Sequence, residues 1–461
     1  MKTDLHIQNF GKVKSADIHL RPFTVIVGPN SSGKSFITKA LYSIFHSMNK
    51  DFGTDFLISS VEDSFRWTYI IENRIPRISQ KDILLFTELR SILSKLQFFI
   101  NDINEDITIL DTSRIASIIN ELYIPIQDSY AAIKDQLNTG VGSKFKAVED
   151  EMRLLEMDIK NIKLFVDEGD SVYISRFKND LKQEFLENFQ VQSLSALYSQ
   201  NEENIFDFSD FGRIQLKNQN IDFNLHRDSI AELQQLYNVV YLESPIYFKL
   251  KNALRGVRLS NASFRRKGFL NQVPKYFYDV DQLLEAKISG DLSNEFSAIL
   301  NKIENCIHGS LNISNGEISF VDKDRIDVEI PLNMVSSGIS NLGLIGLLIK
   351  QNVLSKGSYL FIDEPEVNLH TAWQHDMLDV LVDLSKQGVM VVIATHSLDM
   401  IYRFEHVVSQ EKQLVEREHF SLNRLTQEGT SIPSEGLITD IRRAKEGLGR
   451  PYVELLKARL P

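Results

Sequence analysis

The stretch Gly28–Ser35, which reads GPNSSGKS, carries the clearest chemistry in this chain. It matches the pattern G-x-x-x-x-G-K-[ST] at every fixed position. Gly28 and Gly33 allow backbone conformations that a Cβ atom would forbid, so successive N–H groups can point at phosphate oxygens. Lys34 supplies a charge between the β- and γ-phosphates, and the Ser35 hydroxyl ligates Mg²⁺. The predicted phosphate-binding residues are Gly28, Pro29, Asn30, Ser31, Ser32, Gly33, Lys34 and Ser35.

Two adjacent carboxylates, Asp363 and Glu364, end an apolar run further along the chain. Carboxylates at the end of a buried strand are costly unless they have a function. We predict that Asp363 holds Mg²⁺ and that Glu364 is the general base that polarises the attacking water. His396 follows another apolar run, Val391–Ala394. It is predicted to sense the γ-phosphate, although a lone histidine after a strand is more often structural.

The signature segment Ser336-Ser337-Gly338 opens a stretch with helical character, Ile339–Ile349. Alone, such a segment is usually a helix cap, because serine accepts hydrogen bonds from the unpaired N–H groups of a helix start. Its functional interpretation is that the same groups hold a γ-phosphate presented by another subunit.

A strand and a helix must position the phosphate-binding loop. Phe23–Val27 is a continuous apolar run typical of a buried parallel strand, and Ser35–Phe45 has apolar residues at helical spacing. A further helix, Thr371–Ser385, separates the strand before Asp363 from the strand before His396. Carboxyl ends of parallel strands are where ligands bind in doubly wound sheets. The predicted fold class is therefore α/β, with a mixed sheet, and Leu311–Ser314, Ile318–Val321 and Asp327–Ile330 predict an antiparallel part with a turn at Asn315-Gly316.

Between these parts lies a region with much helical periodicity, from about Ile83 to Phe189. Two apolar stripes flank the polar stretch Asn138–Lys144, which predicts an antiparallel helical hairpin with its tip near 138–144. An ordinary helical bundle is the alternative. The predicted domains are a discontinuous head, 1–84 and 205–461, and a helical insertion, 85–204.

The segment 249–275 is locally basic in a chain whose formal net charge is −11. Aromatic residues are interleaved with its basic ones, which are Lys249, Lys251, Arg255, Arg258, Arg265, Arg266, Lys267 and Lys275. This pattern suits DNA or an acidic protein partner. The alternative is a solvated basic face that pairs with acidic neighbours.

Bulk composition limits the class of protein. The 461 residues are 43% hydrophobic, which suffices for one large domain with an accessory element. The single cysteine, Cys306, excludes an intrachain disulfide and favours a reducing compartment. No apolar signal core or membrane-spanning run is present, so we expect a soluble, cytoplasmic protein without membrane contact.

Taken in order, GPNSSGKS, VSSGIS, FIDEPEVNLH and ATHS resemble the motifs of ABC-type ATPase heads of the Rad50/SMC/RecF group, and in particular AAA-family ATPases with an overcoming-lysogenization-defect (OLD)-like head. The resemblance covers about Leu5–Phe45 and Val335–Ser397. It implies ATP and Mg²⁺ as cofactors and a homo-oligomer in which two heads enclose two ATP molecules. It also implies that Asn368–His370 touches the partner subunit. The signature departs from LSGGQ, and Gln80 is a poor candidate for the family's glutamine loop.

The resemblance also bears on biological role. The interval between Lys34 and Ser336 is too long for a transport cassette and too short for a true Rad50 or SMC protein. The stretch after Ser397 is too short for the Toprim nuclease of OLD proteins. We therefore expect an ATPase of a bacterial anti-phage system, resembling the PARIS-type ATPase, that controls a separate nuclease effector. The alternatives are a RecF- or SMC-like ATPase in DNA repair or DNA loading, and a scaffold that only binds ATP.

Overall fold

The computed structural model describes residues 2–103, 112–139, 144–199, 202–225, 232, 234–251, 273–286, 293–314, 316–326 and 328–457. The chain forms two compact units. The head unit comprises Met1–Asn49, Asp180–Ser229 and Gln235–Pro461, and the helical unit comprises Lys50–Asn179 with Ile230–Gln234. These boundaries differ from the 84/85 and 204/205 boundaries expected from the sequence.

A six-stranded sheet forms the centre of the head unit, in the order β14-β13-β3-β12-β11-β7. Its strands are β3 (Phe23–Val27), β7 (Val239–Leu242), β11 (Tyr359–Asp363), β12 (Met390–Thr395), β13 (Phe420–Leu425) and β14 (Ser431–Ile432). All neighbours are parallel except β13 and β14. Every residue of β3, β11 and β12 is buried, as expected of strands covered on both faces. The predicted α/β class with a mixed sheet is confirmed.

Two antiparallel sheets complete the β structure of the described part of the head. One has the order β2-β1-β4-β5-β6 and the other β10-β9-β8. Their strands are β1 (Thr3–Phe10), β2 (Val13–Leu20), β4 (Ile205–Phe208), β5 (Gly212–Lys217), β6 (Asn220–Leu225), β8 (Gly309–Ser314), β9 (Glu317–Asp322) and β10 (Glu329–Pro331). The predicted hairpin is present, because Ser314 pairs with Glu317 across a two-residue connection. Asn315 and Asp327 themselves lie outside the described residues.

Helices pack around these sheets. In the head unit they are α1 (Lys34–Met48), α6 (Ile246–Lys249), α7 (Lys275–Glu285), α8 (Asn294–Cys306), α9 (Ser337–Lys350), α10 (Thr371–Lys386), α11 (Leu398–Gln410), α12 (Lys412–Glu416) and α13 (Leu437–Lys457). Short 3-10 turns occur at Lys144–Ala147, Leu194–Ala196 and Leu332–Met334. None of the helices in the described part of the chain is both long and apolar enough to cross a membrane.

The helical unit is built from α2 (Phe52–Arg74), α3 (Gln80–Ile103), α4 (Thr112–Asn138) and the first part of α5 (Glu149–Asn188). The four helices share one apolar core, as a bundle does. Within it α4 and α5 run antiparallel, since the Tyr130 hydroxyl donates to Glu156 at 2.9 Å and the Lys163 ammonium to Asn120 at 2.6 Å. Residues 140–143 of the predicted hairpin tip lie outside the described residues.

The domain boundaries differ from expectation for reasons of long-range packing. Buried residues of α2 such as Leu57 and Val61 belong to the same core as α3, α4 and α5, which assigns α2 to the helical unit. The backbone of α5 departs from helical geometry at Glu168 (φ −137°, ψ 33°), and its last part, from Asp180, belongs to the head. Neither feature has a local sequence signal.

Candidate nucleotide and metal site

The loop between β3 and α1 has the geometry that its glycines predict. A Cβ atom on Gly28 would lie 2.8 Å from Ser32 Oγ and 2.9 Å from the Leu425 carbonyl oxygen. Gly33 has φ +98°, and a Cβ atom there would lie 2.8 Å from a methyl carbon of Val13. Side chains at either position would therefore force the loop to open. The first helical residue is Lys34, so the amides of the start of α1 face the loop.

The Lys34 ammonium group lies inside this loop and is buried. It donates hydrogen bonds to the carbonyl oxygens of Gly28 at 2.9 Å and Pro29 at 3.0 Å. Burial lowers the pKa of Lys34, while the carboxylates of Glu364, Asp363 and Glu366 oppose this shift. The structure thus brings the predicted phosphate-binding lysine and the predicted catalytic carboxylates into one electrostatic cluster.

Asp363 ends β11 with only 4% of its surface exposed. Its Oδ1 atom is buried without a hydrogen-bond partner, and its Oδ2 atom is 3.5 Å from the Tyr241 hydroxyl. Burial raises the pKa of Asp363 to about 6. A hydrogen bond with the Ser35 side chain and the charge of Lys39 oppose this shift, and the charges of Glu243 and Glu364 add to it. An unpartnered buried carboxylate oxygen is costly, and a hard divalent cation would satisfy it. Ser35 and Asp363 therefore fit Mg²⁺ as ligands.

Glu364 and His396 meet next to this carboxylate. The His396 Nδ1 atom lies 3.2 Å from Glu364 Oε1, and both side chains are partly exposed. Glu364 has φ +54°, which is rare for a residue with a Cβ atom, and its N–H donates to the Ala394 carbonyl at 2.8 Å. The Glu364 side chain is 40% exposed, so its carboxylate is accessible to a water molecule.

Glu366 holds the two strand ends together. It is buried, and its Oε1 atom accepts hydrogen bonds from the Thr395 hydroxyl at 2.8 Å and from the His396 N–H at 3.0 Å. Glu366 therefore positions the backbone of His396. The sequence analysis did not single out Glu366, because its role depends on the hydrogen bonds that the fold brings about.

The signature segment lies elsewhere in the head. Ser336 caps α9, since its Oγ atom accepts from the Ile339 N–H at 3.3 Å. A Cβ atom on Gly338 would lie 3.3 Å from the Asn368 carbonyl oxygen. The Asn341 side-chain amide donates to the Val367 carbonyl at 2.7 Å. In the described structure, no hydrogen bond joins Ser336, Ser337 or Gly338 to the phosphate-binding loop.

A protein-family model described as "AAA ATPase domain" matches residues 1–401. The chain belongs to this family. The match makes the chain an ATPase, which confirms the predicted AAA-family ATPase. ATP binding and hydrolysis follow from this membership.

Curated relatives of this AAA ATPase include two DNA double-strand break repair Rad50 ATPases. That of Sulfurisphaera tokodaii is 22% identical over 143 residues, which are 29% of this chain and 16% of the relative. That of Sulfolobus acidocaldarius is 27% identical over 134 residues, which are 26% of this chain and 15% of the relative. The matched region is thus only a small part of these relatives' length. The solved SMC head domain from Thermotoga maritima is similar with a TM-score of 0.35 and 12% identity, covering 94% of this chain and 99% of that chain.

One predicted position of the AAA ATPase lies away from the site, and two residues near the site were not predicted. Gln80 begins α3 in the helical unit and is not part of the head. Glu243, directly after β7, was missed although it shows the same signal as Asp363, a carboxylate that ends an apolar run. Lys39, its partner at 2.9 Å, was also missed.

The basic segment 249–275 is described only at its ends. There Lys249 donates to the Val335 carbonyl at 2.5 Å, Lys251 pairs with Asp281 at 2.7 Å, and Lys275 pairs with Glu184 at 2.9 Å. Lys251 and Lys275 thus pair with acidic neighbours in the fold, whereas Lys249 bonds a backbone carbonyl. The remaining basic residues of the segment lie outside the described residues; they are Arg255, Arg258, Arg265, Arg266 and Lys267.

The raised pKa of Asp363 predicts a pH-dependent stability in metal-free buffer. The pKa is about 6 in the folded state against a usual 3.8, so folding favours the protonated carboxyl. This stabilisation is complete below about pH 4 and is lost as the pH rises through 6. The free energy of unfolding of Asp363→Asn, relative to that of the parent, should therefore rise by about 2 kcal/mol as the pH is raised from 4 to 7.5.

Urea unfolding with a chelator present, followed by circular dichroism at several pH values, measures this difference. Asp135→Asn is the control, because Asp135 is exposed on α4. A constant difference between the Asp363→Asn variant and the parent at all pH values would contradict the prediction.

Proposed function

We propose that this AAA ATPase binds ATP with Mg²⁺ at the site formed by Gly28–Ser35 and Asp363, and that Glu364 is the general base. The buried, unpartnered Oδ1 atom of Asp363 is the observation that carries this proposal. Mg²⁺, when bound, would neutralise phosphate charge. Lys34 would move from the Gly28 and Pro29 carbonyls to phosphate oxygens, which are stronger partners for an ammonium group.

The remaining residues of the site have separate roles in this proposal. Glu364 accepts the proton of the attacking water, because its carboxylate is partly exposed and its backbone is fixed by the bond to Ala394. His396 donates to the γ-phosphate from the neighbouring strand end. Glu366 keeps the His396 backbone in place through two hydrogen bonds.

Two substitutions separate binding from hydrolysis. Lys34→Ala should remove ATP binding, because it deletes the only buried cation inside the described phosphate-binding loop. Glu364→Gln should keep ATP binding and lower the hydrolysis rate by about 100-fold or more, because an amide cannot accept the water proton. Binding of a fluorescent ATP analogue and phosphate release measure the two steps. Hydrolysis by Glu364→Gln at the parental rate would contradict the assignment of the base.

We further propose that two heads pair, so that the signature segment of one completes the ATP site of the other. Ser336 is exposed at the start of the 14-residue helix α9, and its segment makes no described hydrogen bond to its own phosphate-binding loop. The N–H groups of that helix start are suited to an anion. Asn368, exposed with φ +62°, adjoins the signature segment and would face the partner.

This pairing predicts that Ser337→Arg abolishes turnover and leaves ATP binding to the single head nearly unchanged. The arginine would block the approach of a second head, while Ser337 is not part of the phosphate-binding loop. Light scattering with Glu364→Gln and ATP should show a dimer or a multiple of dimers that Ser337→Arg lacks. A specific ATPase rate that is independent of protein concentration, from a protein that stays monomeric, would contradict pairing.

We also propose that the ATPase controls a separate nuclease effector, as the resemblance to OLD-like and PARIS-type anti-phage ATPases implies. Outside the ATP site, one group in the described part of the chain brings three potential metal-ligating atoms together, from His46, Glu184 and Asp279. The Lys275 ammonium already lies 2.9 Å from Glu184 and 2.5 Å from Asp279. This group is therefore a charge-compensated network and is unsuited to hold a nuclease metal.

The effector proposal predicts that the purified chain leaves plasmid, single-stranded DNA and RNA intact with Mg²⁺ or Mn²⁺ and ATP. Co-purification from the native host should recover a nuclease. Cleavage that persists in Asp363→Ala would contradict a separate effector, and recovery of replication or repair proteins would favour the RecF- or SMC-like alternative. Reversing the charges of Arg265, Arg266 and Lys267 in the same pull-down tests the basic segment as the contact to DNA or to an acidic partner.

A further inference from the structure

We propose that Glu243 and Lys39 set the affinity of the ATP site for its divalent cation, with Glu243 acting as a positioning residue that holds the Lys39 ammonium group away from Asp363. This inference rests on the proposed ATP and Mg²⁺ site. It assigns a function to a carboxylate and a lysine that lie outside the motifs of the sequence.

Strand register places Glu243 beside the metal site. Strands β7 and β11 are parallel neighbours, and Leu242 pairs with Ile362. The next residues of the two strands, Glu243 and Asp363, are therefore adjacent at the same edge of the sheet. Two carboxylates at neighbouring strand ends form a site of high negative charge, which attracts any cation in reach.

Lys39 reaches the same place from the helix that follows the phosphate-binding loop. It is four residues after Ser35 in α1, so both side chains lie on one face of the helix. The side chains of Ser35, Lys39 and Glu243 line one cavity of about 310 Å³, together with Asn188, Gln190 and Tyr276. The positive charge of Lys39 also acts on Asp363, whose pKa it lowers, so the lysine is close enough to compete with a metal cation for that carboxylate.

The hydrogen bonds of the structure show which carboxylate the Lys39 ammonium group binds. The Lys39 Nζ atom donates to Glu243 Oε1 at 2.9 Å. The Tyr276 hydroxyl donates to Glu243 Oε2, and the Lys39 Nζ atom lies 5.5 Å from the centre of the Tyr276 ring. Glu243 and Tyr276 thus engage Lys39, while Asp363 Oδ1 keeps no hydrogen-bond partner. In the described part of the chain, the Lys39 ammonium group bonds Glu243 and makes no hydrogen bond to Asp363.

The charges predict opposite effects of the two single substitutions. Glu243→Gln removes one negative charge and releases Lys39 toward Asp363, so the site should bind Mg²⁺ about tenfold more weakly. Lys39→Met removes the competing cation and leaves Glu243 unpaired, so the site should bind Mg²⁺ more tightly. The double variant restores the net charge of the parent and should return the Mg²⁺ affinity to within about threefold of it.

The experiment measures binding of a fluorescent ATP analogue with a chelator present, followed by a titration with Mg²⁺. Parent, Glu243→Gln, Lys39→Met and the double variant are compared, with circular dichroism confirming that each is folded. The control carries the same charge changes in the surface pair Lys386 and Glu411, whose ammonium and carboxylate are 2.6 Å apart. Lys386→Met and Glu411→Gln should leave the Mg²⁺ titration unchanged. Tyr276→Phe, which keeps all charges, should shift it less than Glu243→Gln does.

The outcomes distinguish this inference from the proposed function. Equal Mg²⁺ affinities for the parent and both single variants would overturn the inference alone, as would single variants that shift the affinity in the same direction. A parent that does not bind ATP, or Lys34→Ala that still binds it, would overturn the proposed site and this inference with it. If Glu243→Gln does not fold, a tighter Mg²⁺ site in Lys39→Met supports the inference and an unchanged site overturns it.

Discussion

The site depends on one constraint, which is that β3, β12, β11 and β7 are parallel neighbours in a single sheet. Parallel strands end at the same edge, so the segments that follow them must share that edge. The phosphate-binding loop, His396, Asp363 and Glu243 come from four distant parts of the chain and follow these four strands. Any change that shifts the register of β11 would therefore separate the metal ligand from the loop that it serves.

Burial gives this edge its chemical character. Lys34 and Asp363 are each about 5% exposed or less, and Glu366 is nearly as well covered. Charges with so little access to water interact strongly and are costly when they lack a partner. In the proposed function, a bound polyphosphate with its cation would supply partners for these charges.

The sequence predicts the parts of the site that are marked by local pattern. Gly28, Gly33 and Lys34 stand between a buried strand and a helix, and Asp363 ends a continuous apolar run, so both could be located without coordinates. Glu243 has the same local signal, but its importance comes from pairing between β7 and β11, which are over 100 residues apart. The boundary of the helical unit was missed for a similar reason, because α2 joins its core only through long-range packing. The roles of the predicted residues remain predictions, since their chemistry depends on bound nucleotide.

The segment after β11 connects the proposed general base to the helix that carries the signature segment. Glu364 is at its start. The Val367 carbonyl accepts a hydrogen bond from Asn341 of α9, and the Asn368 carbonyl passes so close to Gly338 that a Cβ atom there would lie 3.3 Å from it. A backbone displacement at Glu364 would therefore move the start of α9 as well, because only two residues separate it from Val367. In a pair of heads, that helix start would face the other subunit's nucleotide. The short segment would then couple the two nucleotide sites. Binding at one site would change the affinity of the other, and the effect would be equal in both directions.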